Sequence, residues 1–259
     1  MLALFASLGR QIIRFSEFFG RTTLLLLAAV ADAVRGAVPI RLVVDQIAFV
    51  GYNSLPIAVV TMLFSGMVFA YHTAERAAMA GAGNLVGWVV AETMCRELGP
   101  VMVAIVVAAR AGSAMTAQIG TMKVTEQLDA LRAMAVSPVV YLVAPRLIAC
   151  VLMVPGLAFL GDMVGVMGGY VMAVATPRIN AVTYLQGIPG HLAGWTVMAG
   201  VIKALAFGII IAIVACHEGL NCKQASEEVG NATTRSVVYC IMLIYAANLL
   251  LTRWLYPLH

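Results

Sequence analysis

Charge is the scarce commodity in this chain. Only 11% of its 259 residues are Asp, Glu, Lys or Arg, while 62% are apolar; soluble domains carry about 25% charged and about 45–50% apolar residues. Twenty-eight charged side chains are too few for the hydrated skin of a soluble domain. Disorder, which requires low hydrophobicity, is excluded by the same figures. A mean hydropathy of +0.96 instead suits a surface that faces lipid. The length allows several crossings with short connections, which defines a polytopic membrane protein.

Other absences narrow the chemistry. The five cysteines (95, 150, 216, 222 and 240) form no CxxC pair and lie mostly in apolar runs, so neither a disulfide scaffold nor a thiolate metal site is indicated. The four histidines (72, 191, 217 and 259) lack ligand spacing, and HExxH and GxSxG are missing. His72 reads as an interfacial residue. The chain contains no Gly-Lys dipeptide, so it holds no P-loop, and any use of ATP would come through a partner. Its net charge of +4 is small and scattered, which does not suit nucleic acid. Nothing points to an enzyme. The first 21 residues interrupt their apolar positions with Arg10, Arg14, Glu17 and Arg21, which does not resemble a cleavable leader.

Five apolar runs are long enough to span about 30 Å of hydrocarbon as helices: 47–71, 85–110, 143–175, 195–216 and 237–256. Continuous runs, rather than period-two alternation, argue against a β-barrel. The third run is long enough to tilt or break at Pro155, and Gly161, Gly165, Gly168 and Gly169 permit close helix contact. Before the first run, Leu4, Leu8, Ile12, Phe15 and Phe19 recur at helical spacing among charged residues. That pattern suits a helix lying in the membrane interface. The following 22–34 is too short to cross comfortably. The chain therefore divides into an N-terminal interfacial segment, 1–46, and a transmembrane domain, 47–259. The expected fold is all-α, with about five spans.

Basic residues orient it. Eleven Lys and Arg fall on the side of the N-terminus, the loop between spans two and three, and the loop between spans four and five. Three (Arg76, Arg178 and Arg253) fall on the other side. The positive-inside rule places the first set, and the N-terminus, in the cytoplasm.

The loop between spans two and three is neither apolar nor linker-like. Thr121 to Met134 reads as a helix with Met122, Leu128, Leu131 and Met134 near one face. Lys123–Glu126 and Asp129–Arg132 form opposite-charge pairs three residues apart, and Ser137-Pro138 ends the helix. It suits either a connector resting on the bilayer or a helix docking on a cytoplasmic partner. Its mixed charge and the small residues of RAGSAMTAQIG favour docking.

Within the second span, Arg96 and Glu97 are intramembrane charges, costing about 2.5–3.5 kcal/mol each unless paired or wet. Glu92 lies one turn before Arg96, and Gly99-Pro100 should kink the helix just after. A structural ion pair and a polar element of a substrate cavity both fit. Lys203 and Asp162 are further intramembrane charges, each read as lying near a span end or able to snorkel.

The run RELGPVMVAIVVAARAGSAMTAQIGTMKVTEQLDALRAMAVSPVVYLVAPRLIA (96–149) closely resembles the MlaE/YrbE family of permeases, with further support at VGYNSLPI (50–57), FSGMVFA (64–70) and VGNATTRSVV (229–238). These are the membrane subunits of ABC transporters that work with MCE-domain proteins in lipid trafficking. The resemblance implies a multi-pass homodimer in the bacterial inner membrane, with a cytoplasmic ABC ATPase, a periplasmic MCE-domain protein and a small STAS-domain subunit as partners. Phospholipid is the implied substrate. ATP and Mg would sit in the ATPase and no cofactor in this chain. A coupling helix seated on the ATPase corresponds to 113–137, with Lys123, Thr125, Glu126, Gln127, Asp129 and Arg132 as its contact residues. The lipid cavity at the dimer interface corresponds to Met67, Phe69, Tyr71, Arg96 and Glu97. Three departures stand out: Tyr71-His72 in place of Leu-Gln, Ala225-Ser226-Glu227-Glu228 in place of a glycine-rich stretch, and Asn248 in place of an acidic residue. An ATP-independent scramblase or carrier and an inert assembly subunit are the competing classes.

Overall fold

The computed structural model describes residues 2–36, 38–175, 181–190 and 192–257, with no side-chain description at 2–12, 14, 15 and 78. Among the described residues the secondary structure is helical, without strands. The N-terminal helix α1 (Leu2–Val34) is followed by five stretches with the length and hydropathy of spans: Ile40–Ala77, Gly83–Val124, Val139–Ala175, Gly194–Leu220 and Ser226–Leu255. The chain is thus an all-α, multi-pass membrane protein.

Each stretch outlasts the apolar run that announces it. The first contains α2 (Ile40–Ile47), a π turn at Ala48–Tyr52 and α3 (Leu55–Met79). The break between turn and α3 falls at Asn53-Ser54, just before Pro56, which has no N–H to continue the hydrogen-bond ladder back into the turn and suits the start of a new helix. The second runs as α4 (Val86–Thr93), a π turn at Met94–Leu98, α5 (Gly99–Val107), a π turn at Ala108–Gly112 and α6 (Ser113–Val124). The short helix α7 (Gln127–Ala133) follows. The third opens with a π turn at Val139–Val143 and continues as α8 (Ala144–Ala175). Of the tilt or break open to this run, no break occurs at Pro155, and the α-helix runs through it. After α9 (Ala181–Gly187) come the fourth and fifth spans, α10 (Gly194–Leu220) and α11 (Ser226–Leu255).

The centre of the bundle is α8, which packs along α3 and α10. Glycine sets those distances. A β-carbon on Gly66 of α3 would collide with the backbone of Gly165 in α8, so the two helices touch main chain to main chain, the mode that drives association where lipid offers no hydrophobic gain. Helix α1 rests against the π turn at Val139–Val143, α8 and α10. Phe18, rather than the expected Phe19, is its inward aromatic: its ring lies 5.0 Å from His217 and 5.1 Å from Tyr239, while Phe19 is exposed. The expected contributions of Leu4, Leu8, Ile12, Phe15, Arg10 and Arg14 lie outside the described side chains.

The π turns carry cross-links. Arg110, in the turn at Ala108–Gly112, donates to the Phe49 carbonyl at 2.7 Å and to Ser54 Oγ at 3.2 Å, joining spans one and two. Arg146, counted in the sequence among loop cations, is instead buried at the start of α8. It donates to the Leu142 carbonyl at 2.8 Å and Gln118 Oε1 at 3.1 Å.

Candidate functional site

The π turn at Met94–Leu98 occupies the place where a Pro100 kink was expected. An i→i+5 turn inserts one residue into the helical ladder and re-aims the side chains it carries. Here it presents Arg96 and Glu97 towards α10 and α11. Glu97 Oε1 accepts from Lys203 Nζ at 2.8 Å and from Thr252 Oγ1 at 3.1 Å, and its Oε2 accepts from Asn248 Nδ2 at 2.9 Å. Lys203 is fully buried. Its ammonium group also donates to the Arg96 carbonyl at 2.9 Å and to Thr252 Oγ1 at 2.8 Å. All three ammonium donors therefore have acceptors.

This corrects the reading of Lys203 as a snorkelling residue. A close contact between Gly200 of α10 and the Cys95 carbonyl brings α10 too near the second span for the side chain to escape, so it turns inward to Glu97. Asp162 is also buried rather than near an aqueous end, lying in the middle of α8 against Gly99.

Arg96 points elsewhere. Its guanidinium lies 3.6 Å from Glu92 Oε1 and stacks 3.7 Å from the Tyr256 ring centroid, a cation–π contact. Glu92 in turn accepts from Thr196 Oγ1 at 3.2 Å. Arg96 forms one wall of a cleft of about 700 Å³, closed by Leu249, Thr252, Arg253, Tyr256 and Pro257. One polar cluster thus ties spans two, four and five together, and two cationic groups, Arg96 and Arg253, face an open cleft. Lys203 lies in the first half of α10 and Thr252 in the last turn of α11, so the cluster sits towards the face of the bundle opposite α7.

The first-span residues take different positions. Met67 and Phe69 are half-buried and Tyr71 is exposed. Phe69 lines a second depression, of about 560 Å³, with His72, Thr73, Arg76 and Ala77. Within one chain the structure brings Arg96 and Glu97 together and keeps Met67, Phe69 and Tyr71 out of the Arg96 cleft. Sequence reasoning missed Lys203, Thr252 and Tyr256. The available signal was a lysine in one apolar run, with Asn248 and Thr252 one turn apart in another.

At the opposite face, the expected single helix over 121–134 is two. Glu126 adopts a left-handed backbone (φ 59°, ψ 11°), which ends α6 and starts α7 at a new angle. A second positive φ, at Ala135 (58°), ends α7 before Ser137-Pro138 is reached. The expected Lys123–Glu126 pair gives way to a bond from Lys123 Nζ to the Leu220 carbonyl at 2.6 Å, which satisfies the C-terminus of α10 with a cation. Asp129 and Arg132 do pair, at 3.0 Å. Thr125, Glu126, Gln127, Asp129 and Arg132 are exposed, while Leu128 is buried and anchors α7. Helix α6 is fixed to its neighbours: Thr116 Oγ1 bonds the Ala215 carbonyl at 3.0 Å and Ser236 Oγ at 2.9 Å. Arg235 of the ATTR run bonds Glu218 at 3.2 Å, clamping α11 to α10.

A five-span helical bundle with a charged cluster beside a membrane cleft at one face, and an exposed short helix at the other, has the anatomy of a membrane permease. Residues 43–254 match the family described as Permease MlaE. The chain belongs to the MlaE permease family. It is 38% identical over 246 residues to a probable ABC transporter permease protein of Rickettsia felis, covering 95% of each chain. It is 34% identical over 248 residues to the intermembrane phospholipid transport system permease protein MlaE of Haemophilus influenzae, again over 95% of each. A probable ABC transporter permease protein of Synechocystis is 41% identical over 222 residues, covering 86% of this chain and 84% of its own.

Proposed function

We propose that this chain is the permease subunit of an ABC transporter that moves phospholipid between the bacterial inner membrane and a periplasmic MCE-domain protein, with ATP hydrolysed by a separate cytoplasmic ATPase. The observation that carries the reading is the Arg96 cleft beside the Glu97–Lys203 cluster. A guanidinium with an open side and apolar neighbours such as Leu249 suits a phosphate headgroup with acyl chains attached. A phosphate arriving there would take the place of Glu92 as the partner of Arg96.

Two chains would form the working unit. The faces of α3 and α11 carry exposed Phe64, Val68, Tyr71, Met242, Tyr245 and Leu249, and a homodimer pairing these faces would bring Met67, Phe69 and Tyr71 to the Arg96 cleft from the other chain or from both. Coupling would begin at α7. Closure of the ATPase, with ATP and Mg bound in it, would press on Thr125, Glu126, Gln127, Asp129 and the flanking Lys123 and Arg132. Helix α6 is joined through the π turn at Ala108–Gly112 and α5 to the turn that holds Glu97, so displacement at one face would reach the charged cluster at the other. The N-terminal helix α1 would ride on the cytoplasmic surface, while 40–46 belong to the first span, and a small STAS-domain subunit would complete the assembly on that side.

The decisive measurement is lipid transfer in proteoliposomes containing the permease with and without its ATPase. Transfer should require ATP and the ATPase, and Glu126→Lys should abolish coupling while leaving lipid co-purification intact. Lipid movement by the permease alone, unaffected by ATPase, would establish the ATP-independent scramblase instead.

A further inference from the structure

A separate pocket, on the α7 face of the bundle, lies between α1, α7, the start of the third span and the end of α10. Its volume is about 280 Å³ and its lining includes Arg21, Arg132, Asn221, Leu25, Val139 and Leu220. Three properties set its chemistry. Its two exposed cations, Arg21 and Arg132, come from different elements, α1 and α7, and no carboxylate is among its lining residues. Arg132 pairs with Asp129 on its own helix, and Glu17 lies one turn before Arg21 on α1. Leu25, Val139 and Leu220 supply an apolar wall, and buried His217 closes the inner end, its ring fixed against Phe18 and its carbonyl accepting from Asn221 Nδ2 at 2.9 Å.

Two guanidinium groups and an amide at the mouth of an apolar pocket recognise a phosphodiester attached to hydrocarbon. Basic pockets between membrane helices at the cytoplasmic end are where anionic headgroups bind. We infer that this pocket holds the headgroup of one anionic glycerophospholipid, its phosphate shared by Arg21 and Arg132 and an acyl chain against Leu25 and Val139. The bound lipid is a fixed component, distinct from whatever passes through the Arg96 cleft. It ties the N-terminal helix to α7, so α7 is stiffer with the lipid in place. The binding rests on this pocket alone and not on the transport reading.

The test uses the full-length chain in mild detergent, with native mass spectrometry and hydrogen exchange as readouts. Phosphatidylglycerol should bind at one per chain, about tenfold more tightly than phosphatidylcholine, and should slow exchange over residues 125–138. Arg21→Gln and Arg132→Gln should each weaken it about tenfold, the effect of losing one charge-assisted contact. Arg35→Gln, which removes an exposed cation just beyond the end of α1 and outside the pocket lining, should leave binding unchanged. Equal loss in all three variants, or equal binding of the two lipids, overturns the inference. Inorganic phosphate competing at millimolar concentration with the same Arg21 dependence would assign the site to free phosphate and overturn the lipid. Failure here would leave ATP-driven transfer untouched, so the two readings fail separately.

Discussion

Lys203 shows how a single buried cation organises a site. An ammonium group at this depth is tolerable only because Glu97, Thr252 and the Arg96 carbonyl satisfy it. Removing Glu97 leaves that charge without a counter-ion. Glu97→Ala should destabilise the protein by about 3 kcal/mol, the low end of the range for a broken buried pair because Glu97 is about a third exposed. Glu97→Ala combined with Lys203→Met should recover most of that loss, since an apolar replacement of both partners has no charge to strand. Chemical unfolding in detergent measures both, and a double variant less stable than the single would refute the account. Arg96 behaves differently. It is held by Tyr256 and Glu92 with one side free, so Arg96→Ala should reduce lipid co-purification with little change in stability. The sequence marks Arg96 and Glu97 because charges are conspicuous in an apolar run. It cannot supply their partner, because Lys203 is 106 positions from Glu97 and hydropathy gives no information about which helices become neighbours.

At the scale of elements, the five spans are legible and their ends are not. Hydropathy locates the apolar core of each, yet α11 begins at Ser226, well before the expected 237. The polar turns over 226–236 stay helical because Arg235 bonds Glu218 and Ser236 bonds Thr116. Those tertiary contacts pair polar groups that composition alone assigns to a loop. The π turns are equally invisible, since the same five residues can sit in either ladder and nothing in their type, as in Val139–Val143, selects the wider one. The break at Glu126 has no glycine or proline to announce it. The glycines of the third span do carry their meaning: they predict close packing, and Gly66 against Gly165 realises it. Gly66→Val should separate α3 from α8 and cost more than about 2 kcal/mol, within the range for overpacked contacts. Gly156, which has open space at its β-carbon position, should accept Ala with a small gain of helix propensity. Thermal unfolding of the two variants side by side checks the contrast.

For the whole molecule, the orientation drawn from eleven basic residues against three has a direct test. All five native cysteines are buried and unpaired, so a thiol introduced at the surface is read over little background. Glu126→Cys should react with a membrane-impermeant maleimide only when the cytoplasmic side is exposed, and Arg253→Cys only from the opposite side. Labelling of both from one side would invalidate the topology. The second span also has a mechanical meaning. Its 42 residues extend about 60 Å at 1.5 Å per residue, twice the hydrocarbon thickness. Arg110 fastens this beam to the first span through Phe49 and Ser54, almost midway between Glu97 and Val124. The two arms are each about 20 Å long. Each arm is bonded to the same two helices, Thr116 to α10 and α11 and Glu97 to Lys203 and Thr252, so a tilt of this span would carry α10 and α11 with it rather than slide past them.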